Sequence, residues 1–181
     1  MIELLVIGFI LILVLWGVLT YNNFINLRER IKNSWAQIDV QLKRRADLIP
    51  NLVETVKGYM NYERETLTKI TEMRSKIVQG SPKERLEAND MLTSALKSLF
   101  AVAENYPQLK ANENFLQLQE QLTDTENKIA TARALYNDSV MEYNRNIKMF
   151  PNSIIANLGN FKEETYFEAT KEERKKVEVK F

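Results

Sequence analysis

The sequence contains no cysteine and no histidine. Without cysteine there is no disulfide, no thiol nucleophile and no thiolate metal site. Without histidine there is no imidazole base, no imidazole ligand and no histidine phosphotransfer. A ferritin-like di-iron bundle, which needs Glu-x-x-His pairs, is thereby excluded. No G-x-x-x-x-G-K, G-x-S-x-G or Gly-rich nucleotide loop is present. The expectation is a protein that is not an enzyme and has no catalytic residues, no metal, no cofactor and no small-molecule substrate. Glycine (5) and proline (4) are also scarce in 181 residues, which leaves few turns and argues for long helices rather than a many-stranded sheet. Charge of one sign is missing too: 25 basic and 24 acidic residues leave +1, so no nucleic-acid partner is expected. What is present is 45% apolar residues, enough for a packed core.

The longest apolar run is Ile2 to Tyr21, whose single charge is Glu3. A helix of about 20 residues rises about 30 Å, the thickness of a bilayer's hydrocarbon core. Trp16 and Tyr21 lie toward one end, where amphipathic rings favour the interface. A cleaved signal peptide would begin with cations and end at small residues. Here no Lys or Arg precedes the run, and Val18-Leu19-Thr20-Tyr21-Asn22 is a poor cleavage site. The segment 1–21 therefore reads as a retained single-pass anchor in a cell membrane, with the lipid bilayer as partner. Arg28, Arg30 and Lys32 follow it closely, and Lys43, Arg44 and Arg45 come further on. Positive flanks stay cytoplasmic, so the N-terminus is expected outside and the rest inside.

Residues 22–159 carry helical period. The first seam, Phe24, Leu27, Ile31, Trp35, Ile38 and Leu42, advances by threes and fours on one face. Pro50 should end this helix in a turn, because the residue before proline avoids the α region. The second stretch, from Pro50 or Asn51 to about Gln79, shows Leu52, Val56, Leu67, Ile70, Met73 and Ile77. Gly80 is placed for a left-handed C-cap. Ser81-Pro82-Lys83-Glu84 reads as a capping box opening a third helix, which stops before Pro107. The fourth runs from about Asn112 to Phe150 with a heptad-like, coiled-coil seam from Phe115 through Ile129 and Tyr143 to Phe150. Short connections make an all-α, antiparallel, up-and-down four-helix bundle the economical architecture behind the transmembrane helix. Residues 160–181 form a polar tail with Phe161, Tyr166 and Phe167, ending Val177-Glu-Val-Lys-Phe181. Those three aromatics are expected to pack back on the bundle, and Val177 to Phe181 either docks or frays.

The run Ser34-Trp-Ala-Gln-Ile-Asp-Val-Gln-Leu-Lys-Arg-Arg-Ala-Asp-Leu-Ile-Pro-Asn-Leu-Val-Glu-Thr-Val-Lys-Gly58 resembles the signature stretch of the LemA family. So do residues 103–119, Ala132-Arg-Ala-Leu-Tyr-Asn137, Glu142-Tyr-Asn144, Phe150-Pro-Asn152 and the terminal Val-x-Phe. The resemblance implies a bacterial inner-membrane protein with a short exposed N-terminus and a cytoplasmic helical bundle. The family has no settled biochemical activity. Members are often encoded near a heat-shock-associated membrane metalloprotease, and some are similar to factors that shape magnetosome membranes.

Three polar groups stand out. Arg28, Arg30, Lys32, Lys43 and Arg44 are candidate partner- or lipid-facing cations; alternatively Asp39–Lys43 and Arg44–Asp47 close on a solvated helix face. Arg45 falls on the first seam and Glu63 on the second. Either they pair and fix the helical register, or the seams end and both side chains snorkel to water. Tyr136-Asn137 and Tyr143-Asn144 repeat at seven residues, as a recognition stripe or as core tyrosines whose hydroxyls reach water or backbone. The expected role is a membrane-anchored scaffold or adaptor that self-associates or binds another membrane protein. The alternative is a membrane-linked regulator or sensor relaying a signal through the bundle, with a membrane protease as one route.

Overall fold

The computed structural model describes residues 1–59 and 64–167. Those residues form helices α1 (Ile2–Lys57), α2 (Arg64–Gln79), α3 (Pro82–Ala103), α4 (Pro107–Lys110), α5 (Glu113–Lys148) and α6 (Asn152–Leu158). They group into two compact units. One combines Met1–Ala36 with the described residues from Ala132 onward, and the other holds Gln37–Thr131. Both draw on α1 and α5.

In the Gln37–Thr131 unit the expected seams are the core. Ile38, Leu42, Leu52 and Val56 of α1 are buried, as are Leu67, Ile70, Met73 and Ile77 of α2. Leu86, Leu92, Leu96 and Leu99 of α3 join Phe115, Leu118, Leu122 and Ile129 of α5. Asn112 caps α5 by accepting the Phe115 N–H at 3.0 Å, one of the otherwise unpaired donors of a helix start. The link between α2 and α3 is Gly80-Ser81. Gly80 is not left-handed, contrary to the expectation. Its need for glycine is steric, since a Cβ there would lie 2.7 Å from the Lys76 carbonyl. Ser81 opens α3 as expected: its backbone N–H and its hydroxyl donate to the Glu84 carboxylate at 2.8 and 2.6 Å. Those bonds hold the Glu84 carboxyl below its ordinary value.

The turn expected at Pro50 does not form. Helix α1 continues through Pro50 to Lys57. An internal proline frees the carbonyl four residues back, here that of Ala46, and an orphaned buried carbonyl is costly. Arg74 of α2 supplies the missing donor, with Nε 3.1 Å from the Ala46 oxygen. Ile49 and Leu52, buried on either side of the proline, hold the segment in the core while this substitute bond is made.

In the other unit Phe24, Leu27 and Ile31 of α1 are buried, as are Tyr136, Val140, Tyr143 and Ile147 of α5. The α5 seam fails at its last expected member, since Phe150 is 81% exposed. Helix α6 follows and ends in a reversal: Phe161 N–H donates to the Ala156 carbonyl at 2.9 Å, with Asn160 left-handed at φ 52°. This is a Schellman-type stop, with asparagine in the strained position it tolerates best after glycine. The apolar run of α1 is exposed over most of its length, with Thr20 buried near its end, and its 18-residue window contains no buried residue.

Two outcomes follow from these contacts. Arg74→Met should lower stability by about 1–2 kcal/mol by orphaning the Ala46 carbonyl. In a Pro50→Ala background, whose restored N–H takes that carbonyl, the loss should shrink; equal losses in a urea-denaturation double-mutant cycle would refute the compensation. Ser81→Ala should cost about 1 kcal/mol through the lost helix cap. Because the folded Glu84 pKa is depressed, the stabilisation from its ionised form is full above the unfolded value of about 4.3 and is lost as pH falls through the folded one. Glu84→Gln should therefore flatten the acid limb of midpoint against pH.

Candidate interaction sites

Residues 161–167 have no helix or strand, yet they are held closely. The Asn144 amide donates to the Glu164 carbonyl at 2.8 Å and accepts the Glu164 N–H at 2.9 Å. Asn137 does the same to Phe167, at 2.9 Å each way. The Tyr143 hydroxyl donates to the Lys162 carbonyl at 3.0 Å and the Tyr136 hydroxyl to that of Thr165 at 3.4 Å. Each asparagine thus completes both backbone groups of one residue, as a neighbouring strand would.

The spacing explains why the motif repeats at seven. Seven residues of α-helix rise about 10.5 Å. Three residues of extended chain cover about 10 Å. Tyr143 and Tyr136 therefore meet Lys162 and Thr165, and Asn144 and Asn137 meet Glu164 and Phe167, in one register. The strap runs antiparallel to α5. Tyr136 and Tyr143 are the core tyrosines of the two readings, buried with hydroxyls on backbone carbonyls, and the asparagines beside them hold the chain's own backbone. Burial, and then the Glu164 carboxylate nearby, raise the Tyr136 hydroxyl above its ordinary value, so it stays a donor.

Aromatics fix the strap's two ends. Phe167 stacks on Tyr136 at 4.2 Å and leans on Trp35 at 5.6 Å. Phe161 meets Tyr21 and Phe24 edge-on at 5.3 and 5.1 Å. Tyr166, expected to pack back with them, is exposed instead. Val177 to Phe181 lie outside the described residues.

The flanking cations take separate places. Arg28 lies over the Phe161 ring at 5.0 Å and donates to the Tyr143 hydroxyl at 3.2 Å. Arg30 pairs with Glu142 at 2.7 Å and Lys32 with Glu29 at 2.6 Å. Lys43 and Arg44 are exposed. Asp39, a candidate partner for Lys43, is instead paired with Arg85 of α3.

Arg45 is buried to 1% exposure and does not snorkel. Its Nη1 donates to Asn89 at 2.8 Å and Thr93 at 3.0 Å, and its Nη2 to Glu126 at 3.3 Å. Three helices, α1, α3 and α5, therefore meet at one guanidinium. Burial lowers its pKa, while the charges of Glu126 and Asp90 oppose that shift. Glu63, its expected partner, lies outside the described residues; the described carboxylate on Arg45 is Glu126. Periodicity places Arg45 on the seam but carries no signal for Asn89, Thr93 or Glu126, which are ordinary polar residues on other helices. Among the described residues no group of three His, Cys, Asp or Glu side chains is disposed to hold a metal.

The LemA family model matches residues 34–181, and the chain belongs to that family. It is 29% identical to Protein LemA of Metamycoplasma hominis over 163 residues, covering 87% of this chain and 73% of that protein. It is 25% identical to Magnetosome protein MamQ 2 of Paramagnetospirillum magneticum over 175 residues, with 82% and 64% covered. Magnetosome protein MamQ of Magnetospirillum gryphiswaldense is 24% identical over 174 residues, with 81% and 64% covered. The chain thus spans under two thirds of the length of these magnetosome relatives. The Tyr-Asn motifs that carried the family resemblance are the residues that grip the strap.

Removing one asparagine tests the grip. Asn144→Ala should cost about 2 kcal/mol, about 1 for each bond lost to Glu164. Hydrogen exchange should show the Glu164 amide losing protection. Unchanged protection there would mean that the aromatics alone hold the strap.

Proposed function

We propose that this chain is a non-catalytic, membrane-anchored helical scaffold or adaptor. The observation that carries the reading is the continuity of α1. The same helix that begins as an exposed apolar run supplies core residues from Phe24 to Val56. An apolar run of that length, with no buried residue in its window, is fitted to lipid rather than to a protein core. Its unbroken passage into packed segments suits a protein that displays a folded surface from a membrane. The absence of histidine and cysteine from the sequence supports a binding role over catalysis.

In this reading the N-terminus faces outside and the helices after Tyr21 form an antiparallel, up-and-down bundle in the cytoplasm. The two-residue link between α2 and α3 supports that topology. Lys43 and Arg44, exposed and outside the described ion pairs, supply the cations that face a partner. Arg30 and Lys32, closer to the anchor, face anionic lipid headgroups. The partner is a second copy of the chain or another membrane protein.

The sequence has no native cysteine, so one introduced thiol reports topology cleanly. Lys43→Cys should resist a membrane-impermeant thiol reagent in intact cells and react after lysis. Labelling before lysis would reverse the orientation. Crosslinking in intact membranes, read by mass spectrometry, should return self-links or links to a membrane protein; the finding of neither would refute the adaptor role.

A further inference from the structure

Beyond Ile147 the chain buries Ala156 and Phe161 but leaves most of its other apolar residues at the surface. Met149, Phe150, Ile154 and Leu158 are exposed, Phe150 and Leu158 to 81% and 80%. Ile154 and Leu158, four apart, lie along one side of α6, and Phe150 stands in the turn before it. Ser153 and Asn157 lie on the neighbouring flank. Lys148 and Lys162 stand just before and after, Lys148 paired with Glu163 at 2.7 Å.

The position of this face says what covers it. Helix α6 lies against the anchor. Ile155 lies 3.5 Å from where a Cβ on Gly17 would be, an ordinary van der Waals contact. Val14, Gly17 and Tyr21 of α1 share a shallow groove with Ile155, Leu158 and Gly159. Tyr21 marks the interfacial end of the apolar run. Gly17 is then about 6 Å and Val14 about 10 Å deeper along the helix. Interfacial amphipathic helices sit about 5–10 Å into the headgroup and acyl boundary. Leu158 lines the same groove as Tyr21, Gly17 and Val14.

We propose that α6 and the turn before it are an interfacial membrane contact, with Phe150, Ile154 and Leu158 inserted into the bilayer beside the anchor. The inference rests on the anchor reading above. Seven residues are too few to hold a membrane unaided, but the neighbouring span already fixes their depth. The exposed face is continuous with the exposed surface of the span, so one lipid phase covers both. Ser153 and Asn157 stay at the headgroups, and Lys148 and Lys162 favour anionic lipid. The contact would set the tilt and rotation of the anchor, which a single span leaves free.

The full chain in phosphatidylcholine–phosphatidylglycerol vesicles tests this with nitroxide labels on single introduced cysteines. Collision with lipid-soluble oxygen is compared with collision with a water-soluble nickel chelate. Labels at Ile154→Cys and Leu158→Cys should favour oxygen several-fold more than a label at Asn157→Cys, and Leu11→Cys should mark the deep span. If the 154 and 158 labels meet the chelate as freely as the 157 label while the Leu11 label is shielded, the interfacial contact is wrong and the anchor stands. A chelate-accessible Leu11 label would overturn the anchor and the contact together. Spin–spin broadening at 158 that disappears on dilution with unlabelled chain would assign the face to a second copy and overturn the proposal.

Discussion

Two helical turns and three extended residues span nearly the same distance, about 10 Å, and the strap is built on that coincidence. Asn137 and Asn144 each close both backbone groups of a strap residue. Without them the segment after α6 would have no partner for those groups and no reason to follow α5. With the register set, Phe161 is delivered to Tyr21 and Phe24, and Phe167 to Trp35 and Tyr136. Arg28 then settles on the Phe161 ring. A polar ladder therefore places the aromatic contacts at both ends of the strap. Either set alone would be weaker: amide bonds to backbone net about 1 kcal/mol each, and ring pairs add about the same.

Within the Gln37–Thr131 unit the comparable device is a buried charge. Arg45 sits where the α1 seam would ordinarily carry an aliphatic residue. Taking a guanidinium out of water is expensive, and Glu126, itself partly exposed, only partly offsets it. Asn89 and Thr93 satisfy further N–H groups. Apolar side chains tolerate sliding along a heptad-like seam; a guanidinium with three fixed acceptors does not. Arg45 contributes more to which register forms than to how stable it is.

Pro50 shows how a local rule yields to packing. Proline in mid-helix costs a hydrogen bond and a steric clash, about 3 kcal/mol in an isolated helix. Here the lost bond is replaced from another helix by Arg74, and buried neighbours keep the segment in place. The helix that carries the apolar run thereby extends to Lys57.

The sequence by itself determined the apolar N-terminal run, the helical content, the buried seams and the start of α3. Each is a local property: apolar length, a period of three or four residues, or a cap within one turn. It also showed Arg45 on a seam and the Tyr-Asn pairs at a spacing of seven, without showing what they meet. Only the tertiary structure decided that Glu126 faces Arg45, that Arg74 rescues Pro50, that α5 releases Phe150 from its seam, and that the strap lies on the asparagines. Periodicity reports which face of a helix is buried, because burial acts on every turn alike. A polar partner acts once, across a distance in the chain that no period encodes, and an extended segment held through its backbone leaves no pattern in its side chains.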